Sequence, residues 1–130
     1  MSLFTCLKVE AIQIISHKSV SQKALTNSQL RRIYAIRQVR WDDNTPITVF
    51  VLPSNHEVHK KFTQENLNIL PYKLERIWNK LTFSGLGVAP TVVASEAELV
   101  AAVASTPGAI GYLEHLSEEY QVNVIQVNPN

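Results

Sequence analysis

The run Leu52-Pro53-Ser54-Asn55-His56-Glu57 leads from a β-branched and aromatic stretch into the start of a helix. It is the stretch of this chain whose residue types point most clearly to chemistry. The free amides and dipole of a helix N-terminus favour an anion, and Ser54 adds a hydroxyl donor. The expected site is therefore the amides of Asn55, His56 and Glu57 with the Ser54 hydroxyl. Ser16 or Ser19, from the polar loop after the first strand, is expected to approach from the side. A protonated His56 would add positive charge, so binding is expected to strengthen below the imidazole reference pKa of about 6.5. Glu57 opposes this, because a carboxylate in the same turn repels an anion. Ser54 and Glu57 also read as an ordinary capping box, and both readings stand at this point.

Other chemistry finds little support. His56 and His59 flank Glu57 as His-Glu-x-His, one residue short of the zincin spacing, and no cysteine or aspartate cluster completes a metal site. There is no Gly-x-Ser-x-Gly elbow for a nucleophile. Gly85-Leu86-Gly87 lacks the third glycine and the preceding strand of a nucleotide loop. Asp42-Asp43 and Glu118-Glu119 are adjacent pairs, and adjacent carboxylates rarely converge as acid–base catalysis requires. His17 and His115 stand alone in the sequence. No enzyme activity, metal or cofactor is expected.

These residues need a scaffold, and the patterning supplies one. Ile12-Gln13-Ile14-Ile15 reads as a buried strand, followed by a polar loop over 16–23. Thr26-Asn27-Ser28-Gln29 is a capping box with Leu25 and Leu30 at the staple positions; Leu30, Ile33 and Tyr34 then recur at helical spacing. A strand is predicted over 45–52, ended by Pro53, and a helix after it with Val58 and Phe62 on one face. Leu74, Ile77, Trp78 and Leu81 form the stripe of the next helix, closed by Gly85 and Gly87. Ser95-Glu96-Ala97-Glu98 is a third capping box before Leu99, Val100 and Val103. Strands over 109–113 and 122–127 complete the order β-α-β-α-α-α-β-β. This alternation predicts an α/β domain with a mostly parallel open sheet and helices on both faces.

At 130 residues, 45% hydrophobic and 18% charged, the chain is expected to form one domain that buries roughly two-thirds of its unfolded surface. The net charge is +1, and Arg31-Arg32 and Lys60-Lys61 are the only basic doublets, so no nucleic-acid partner is implied. Cys6 is the only cysteine, which excludes an internal disulfide. Residues 1–11 are read as the stub of a secretory signal, with an ordinary N-terminal strand or tail as the alternative. Residues 12–130 are read as the single α/β domain.

From about Ile12 to Val127 the chain resembles the phosphate-type solute-binding proteins of ABC transporters. The resemblance rests on five segments in order: Leu25 to Tyr34; Trp41-Asp42-Asp43-Asn44-Thr45-Pro46-Ile47; the strand with its Ser54 turn; Tyr72 to Gly87; and Pro107-Gly108-Ala109-Ile110-Gly111-Tyr112. It implies a domain equivalent to one lobe of a type II periplasmic binding protein, because those proteins have two lobes around a cleft. It also implies an exported protein of the Gram-negative periplasm, a small oxyanion ligand such as phosphate or sulfate, and an ABC permease or other envelope protein as partner. The sequence departs from the family at the turn. Phosphate binders usually carry Ser-Gly-Thr with an arginine nearby; here Ser54 matches and Asn55, His56 and Glu57 do not. A micromolar ligand needs about 8 kcal/mol, whereas a helix end supplies on the order of 0.3–2 kcal/mol. Ligand binding is therefore expected to be weak or lost. The alternative is an interaction or sensor-input module that binds a protein and no solute, and uncovered apolar surface makes a homodimer a further expectation.

Overall fold

The computed structural model describes residues 11–116 and 119–129. The expected signal stub thus lies, apart from Ala11, outside the described residues, as do Cys6 and Glu118. The elements run β1 (Gln13–His17), β2 (Ala24–Thr26), α1 (Asn27–Tyr34), β3 (Thr48–Val51), α2 (Glu57–Phe62), a π-helical turn (Thr63–Leu67), α3 (Pro71–Ser84), β4 (Thr91–Val92), α4 (Glu96–Ser105), β5 (Ala109–Leu113) and β6 (Val122–Asn128). All eight expected elements are present in the expected order. The short strands β2 and β4 are additional, and both lie at the edges of the sheet.

The sheet has the order β2-β6-β1-β5-β3-β4. β3 pairs in parallel with β4 and β5, and β2 pairs in parallel with β6. β1 is antiparallel to both of its neighbours, β5 and β6. Five strands therefore point one way and β1 alone points the other. This gives the sheet two distinct ends: one carries the carboxyl ends of the five, the other the loop that follows β1.

Helices cover both faces. Opposed residues on neighbouring strands share a face, so Ile14, Tyr112 and Ile125 form a row. On that row Tyr112 stacks on Phe62 of α2, with ring centroids 3.9 Å apart, and tilts against Tyr34 of α1 at 5.9 Å. Such aromatic pairs contribute about 0.5–1.5 kcal/mol beyond their buried area. Trp78 of α3 joins the same side by donating its indole N–H to the Tyr34 carbonyl at 2.7 Å. Gly111 faces the other way, and α4 packs directly on it: a Cβ there would lie 2.6 Å from Leu99 and 2.9 Å from Val103. Leu99, Val100 and Val103 are buried as their spacing requires.

Local signals explain the helix ends. In α1, Thr26 Oγ1 accepts from the Gln29 amide at 3.1 Å and the Gln29 side chain accepts from the Thr26 amide at 2.9 Å, a complete capping box. In α4 the box is shifted. Ser95 accepts from the Glu98 amide, but the Glu98 carboxylate reaches Ala94 in place of Ser95. Gly85, at φ 69°, closes α3 in the left-handed conformation. β3 is shorter than its apolar run because Pro46 pairs with Arg40 in an isolated bridge.

Candidate functional site

The Ser54 turn lies just beyond the carboxyl end of β3, the end of an open α/β sheet where ligands bind. Its internal geometry differs from the expected one. The helix starts at Glu57 and its N-cap is His56, whose Nδ1 accepts from the Val58 amide at 3.1 Å. Ser54 is not the cap, and no capping box joins it to Glu57. The His56 amide is taken by the Pro53 carbonyl at 2.9 Å, so it is not a donor for an anion. Protonating His56 at Nδ1 would remove the cap itself. A helix of six residues also provides little of the dipole on which the expected site relied. Of the expected turn residues, Ser54 is half-buried and Asn55 and Glu57 are exposed.

Ser16 and Ser19 do not join this turn. Ser16 lies within β1, fully buried, opposite Ile110 and Asn123. Ser19 accepts from the Gly108 amide at 3.2 Å and bonds His17 Nδ1 at 2.8 Å. Gly108 directly precedes β5, and its carbonyl accepts from Thr48 at the start of β3. Ser19 therefore sits at the amino end of the strand whose carboxyl end leads to Ser54. The four residues of β3 alone separate the two by about 13 Å. The reversed direction of β1 is the physical reason: its trailing loop emerges at the opposite end of the sheet.

A different set of residues gathers beside Ser54. The Leu52 amide donates to the Tyr112 hydroxyl at 2.9 Å, and that hydroxyl meets Nδ1 of His59. Nδ1 is the one acceptor that the described residues offer the Tyr112 proton, so the hydroxyl is satisfied as a donor when it points at Nδ1 and the ring hydrogen is on Nε2. Burial lowers the His59 pKa to about 4, with Glu75 opposing and His56 reinforcing the shift. Burial likewise raises the Tyr112 pKa, so its proton stays on the phenol. His59 borders a cavity of about 450 Å³ whose walls include Pro53, Ser54, Glu75, Trp78 and Asn79. The sequence placed His56 and His59 together only as a failed metal motif. The useful signal was that His59 stands three residues before Phe62, on the buried face of α2. Glu75 and Asn79, on α3 beside the Trp78 stripe, carried no such signal.

Other expected residues have structural roles. Asp43 accepts from the Thr45 amide and hydroxyl, which stabilises its charged form and lowers its pKa. His115 Nδ1 lies 3.2 Å from Glu96. Among the described residues no group of three His, Cys, Asp or Glu side chains is placed to hold a metal. None of their helices is long and apolar enough to cross a membrane.

Comparison with known proteins adds the following. A family model described as a PBP superfamily domain matches residues 8–126. PstS from Borrelia burgdorferi superposes with a TM-score of 0.70 at 20% identity, over 91% of this chain and 47% of that one. A phosphate ABC transporter substrate-binding protein with bound phosphate, from Clostridium perfringens, gives 0.69 at 21% identity, over 89% and 44%. An ABC-type phosphate transport receptor from Vibrio cholerae gives 0.64 at 18% identity, over 89% and 45%. The chain thus spans less than half the length of these proteins, as one lobe of their fold does. No curated protein matches.

Proposed function

This chain belongs to the PBP superfamily domain family, and on that premise we propose that it is a solute-binding-like protein taking a small oxyanion, phosphate or sulfate, in concert with an ABC permease. The observation that carries the reading is the Ser54 turn on the carboxyl edge of a parallel strand, in a fold shared with phosphate transport receptors. The donors are the Ser54 hydroxyl and the amides of Asn55 and Glu57. Ser16 and Ser19 have no part in it, and His56 serves chiefly as the cap. With so few donors, and the Glu57 carboxylate alongside, the affinity is weak, about millimolar, unless a partner supplies the opposite wall of the cleft. The protein works in the periplasm as a non-enzymatic component. Its α/β domain runs over residues 12–130.

Oxyanion titration tests this directly. Phosphate and sulfate are titrated into the wild type and Ser54→Ala, at one pH above and one below the imidazole reference value of about 6.5. Saturable binding that weakens in Ser54→Ala supports the reading. Equal, negligible binding in every one of these titrations overturns it.

A second reading is favoured by the surface. Phe83, Leu86 and Val88 are 92%, 81% and 84% exposed, and Leu86 and Val88 share a groove with Val39 and Ile47. Apolar patches of this kind mark interaction sites. On that reading the domain docks on an envelope protein, or on a second copy of itself, and holds no solute. Capture of an envelope protein that is lost in Leu86→Ser, without any oxyanion binding, would select it.

A further inference from the structure

One edge of the sheet is bare of charge. β4 is the last strand in the order and pairs with β3 alone. The chain from Leu81 to Ser95, which leads into β4 and out of it, contains no charged side chain. Folded proteins usually guard such an edge with charges, lysine above all, because an open strand pairs with its own copy. Exposed apolar side chains surround this one. Phe83 lies in the last turn of α3, Leu86 and Val88 share the groove with Val39, and Val92 is exposed on β4 itself. Arg40 is the one charged side chain in the lining of that groove, and it donates to the Asn44 carbonyl at 3.0 Å.

The backbone of β4 selects the occupant. Val92 stands opposite Val51, and the Val51 carbonyl accepts from the Val93 amide at 2.9 Å. In a parallel pair alternate residues make the bonds, so the N–H and C=O of Val92 point away from β3 to the open edge. Pro90 has no N–H, and the Ala94 amide donates to the Glu98 carboxylate at 2.9 Å. Val92 therefore carries the one outward donor of this edge. A longer foreign strand would find no further donor at Pro90 or Ala94. A second copy, turned about a two-fold axis at Val92, needs none: each Val92 N–H donates to the Val92 carbonyl of the other copy, as in a hydrogen-bonded antiparallel pair.

Charge and area agree with this. An uncharged face does not repel its own copy and gives a charged partner nothing to pair with. Phe83, Leu86, Val88, Val92 and Val39 present on the order of 600 Å² of surface, against the roughly 800 Å² that each partner buries in a stable interface.

We propose that β4 and the apolar surface beside it form the interface of a two-fold homodimer, with the two Val92 residues paired antiparallel on the axis. This rests on the second reading above, in which that surface is an interaction site, and commits it to a second copy of the chain.

The test is sedimentation equilibrium of the whole chain from micromolar to near-millimolar concentration. The expected result is a reversible monomer–dimer equilibrium in the micromolar range, weakened about tenfold or more in Leu86→Lys and in Val92→Pro. Proline suits Val92 because the N–H it removes takes no part in pairing with β3. Val124→Lys alters another exposed valine, on β6 towards the opposite edge of the sheet, and should leave the equilibrium unchanged. Melting temperatures show that each variant folds, and Leu86, being largely exposed, keeps the test sound if Val92→Pro does not. A chain that stays monomeric at the highest concentration overturns the proposal. So does a dimer that Leu86→Lys leaves intact, or that Val124→Lys weakens as much. A monomer that captures an envelope protein through Leu86 overturns the homodimer and keeps the interaction-site reading; a monomer that captures none ends both.

Discussion

The indole N–H of Trp41 donates to the carbonyl of Gly108 at 2.9 Å, joining residues 67 positions apart. The same carbonyl accepts from the Thr48 amide, so one oxygen fixes both the Trp41 loop and the start of β3 against β5. Gly108 is at φ 77°, and a Cβ there would lie 2.3 Å from the Pro46 carbonyl oxygen. Left-handed strain and a clash with backbone both follow, so Gly108→Ala is expected to destabilise the domain by about 3 kcal/mol or more. Trp41→Phe removes only the hydrogen bond and part of the packing, and should cost about 1–2 kcal/mol. Urea denaturation of the two variants checks the ranking; a Gly108→Ala midpoint equal to wild type would refute this account of the turn.

Tyr112 is the hub of the opposite face. Its hydroxyl bonds both the Leu52 amide and His59, and its ring stacks on Phe62. Tyr112→Phe keeps the stacking and leaves a buried amide and a buried imidazole nitrogen without their partner. Each such loss costs about 1–3 kcal/mol. The expected outcome is a clear drop in melting temperature with unchanged aromatic packing by near-UV circular dichroism. A melting temperature within error of wild type would show that the hydroxyl contributes nothing.

The same cluster sets an acid limit. The His59 pKa is lowered to about 4 in the fold, from an unfolded value of 6.5. Between those values the unfolded chain binds the extra proton, so stability rises with pH from about 4 to 6.5 and is flat above that range as far as His59 is concerned. The contribution lost on acidification is on the order of 3 kcal/mol, since the ring is buried and little screened by solvent. Denaturation midpoints in wild type and His59→Gln test this. The variant should be less stable near neutrality but should lose less between pH 6.5 and 4.

Much of the fold was legible because it rests on local signals. The Thr26–Gln29 box, the Leu74 and Trp78 stripe and the unbroken apolar run of β5 all behave as their spacing dictates. β2 and β4 were not legible. They are three and two residues long and are defined by their partners β6 and β3, not by any pattern of their own. The candidate site was harder, since strand direction is a tertiary property. Nothing in Ile12 to Ile15 says that β1 runs against its neighbours, and that reversal removes Ser16 and Ser19 from the Ser54 turn. Similarly, Ser54 is the residue type that suits an N-cap, and only the Pro53–His56 turn gives that place to His56.

The separation of the two serines gives the last prediction. Ser19 lies at the amino end of β3 and β5, where it bonds His17 and receives the Gly108 amide. Ser54 lies at the other end of β3. If an oxyanion binds at the Ser54 turn, Ser19→Ala should leave its affinity unchanged, while Ser54→Ala should weaken it about tenfold or more, as loss of one hydrogen bond to a charged group implies. Stability should respond in the opposite sense. Ser19→Ala loses two hydrogen bonds that tie the β1 loop to the start of β5, a cost of about 1 kcal/mol at an exposed position. Ser54 makes no hydrogen bond among the described residues, so its replacement should leave the melting temperature near wild type. Equal weakening of phosphate binding in the two variants would mean that the loop after β1 does reach the ligand, and that the strand direction assigned to β1 is wrong.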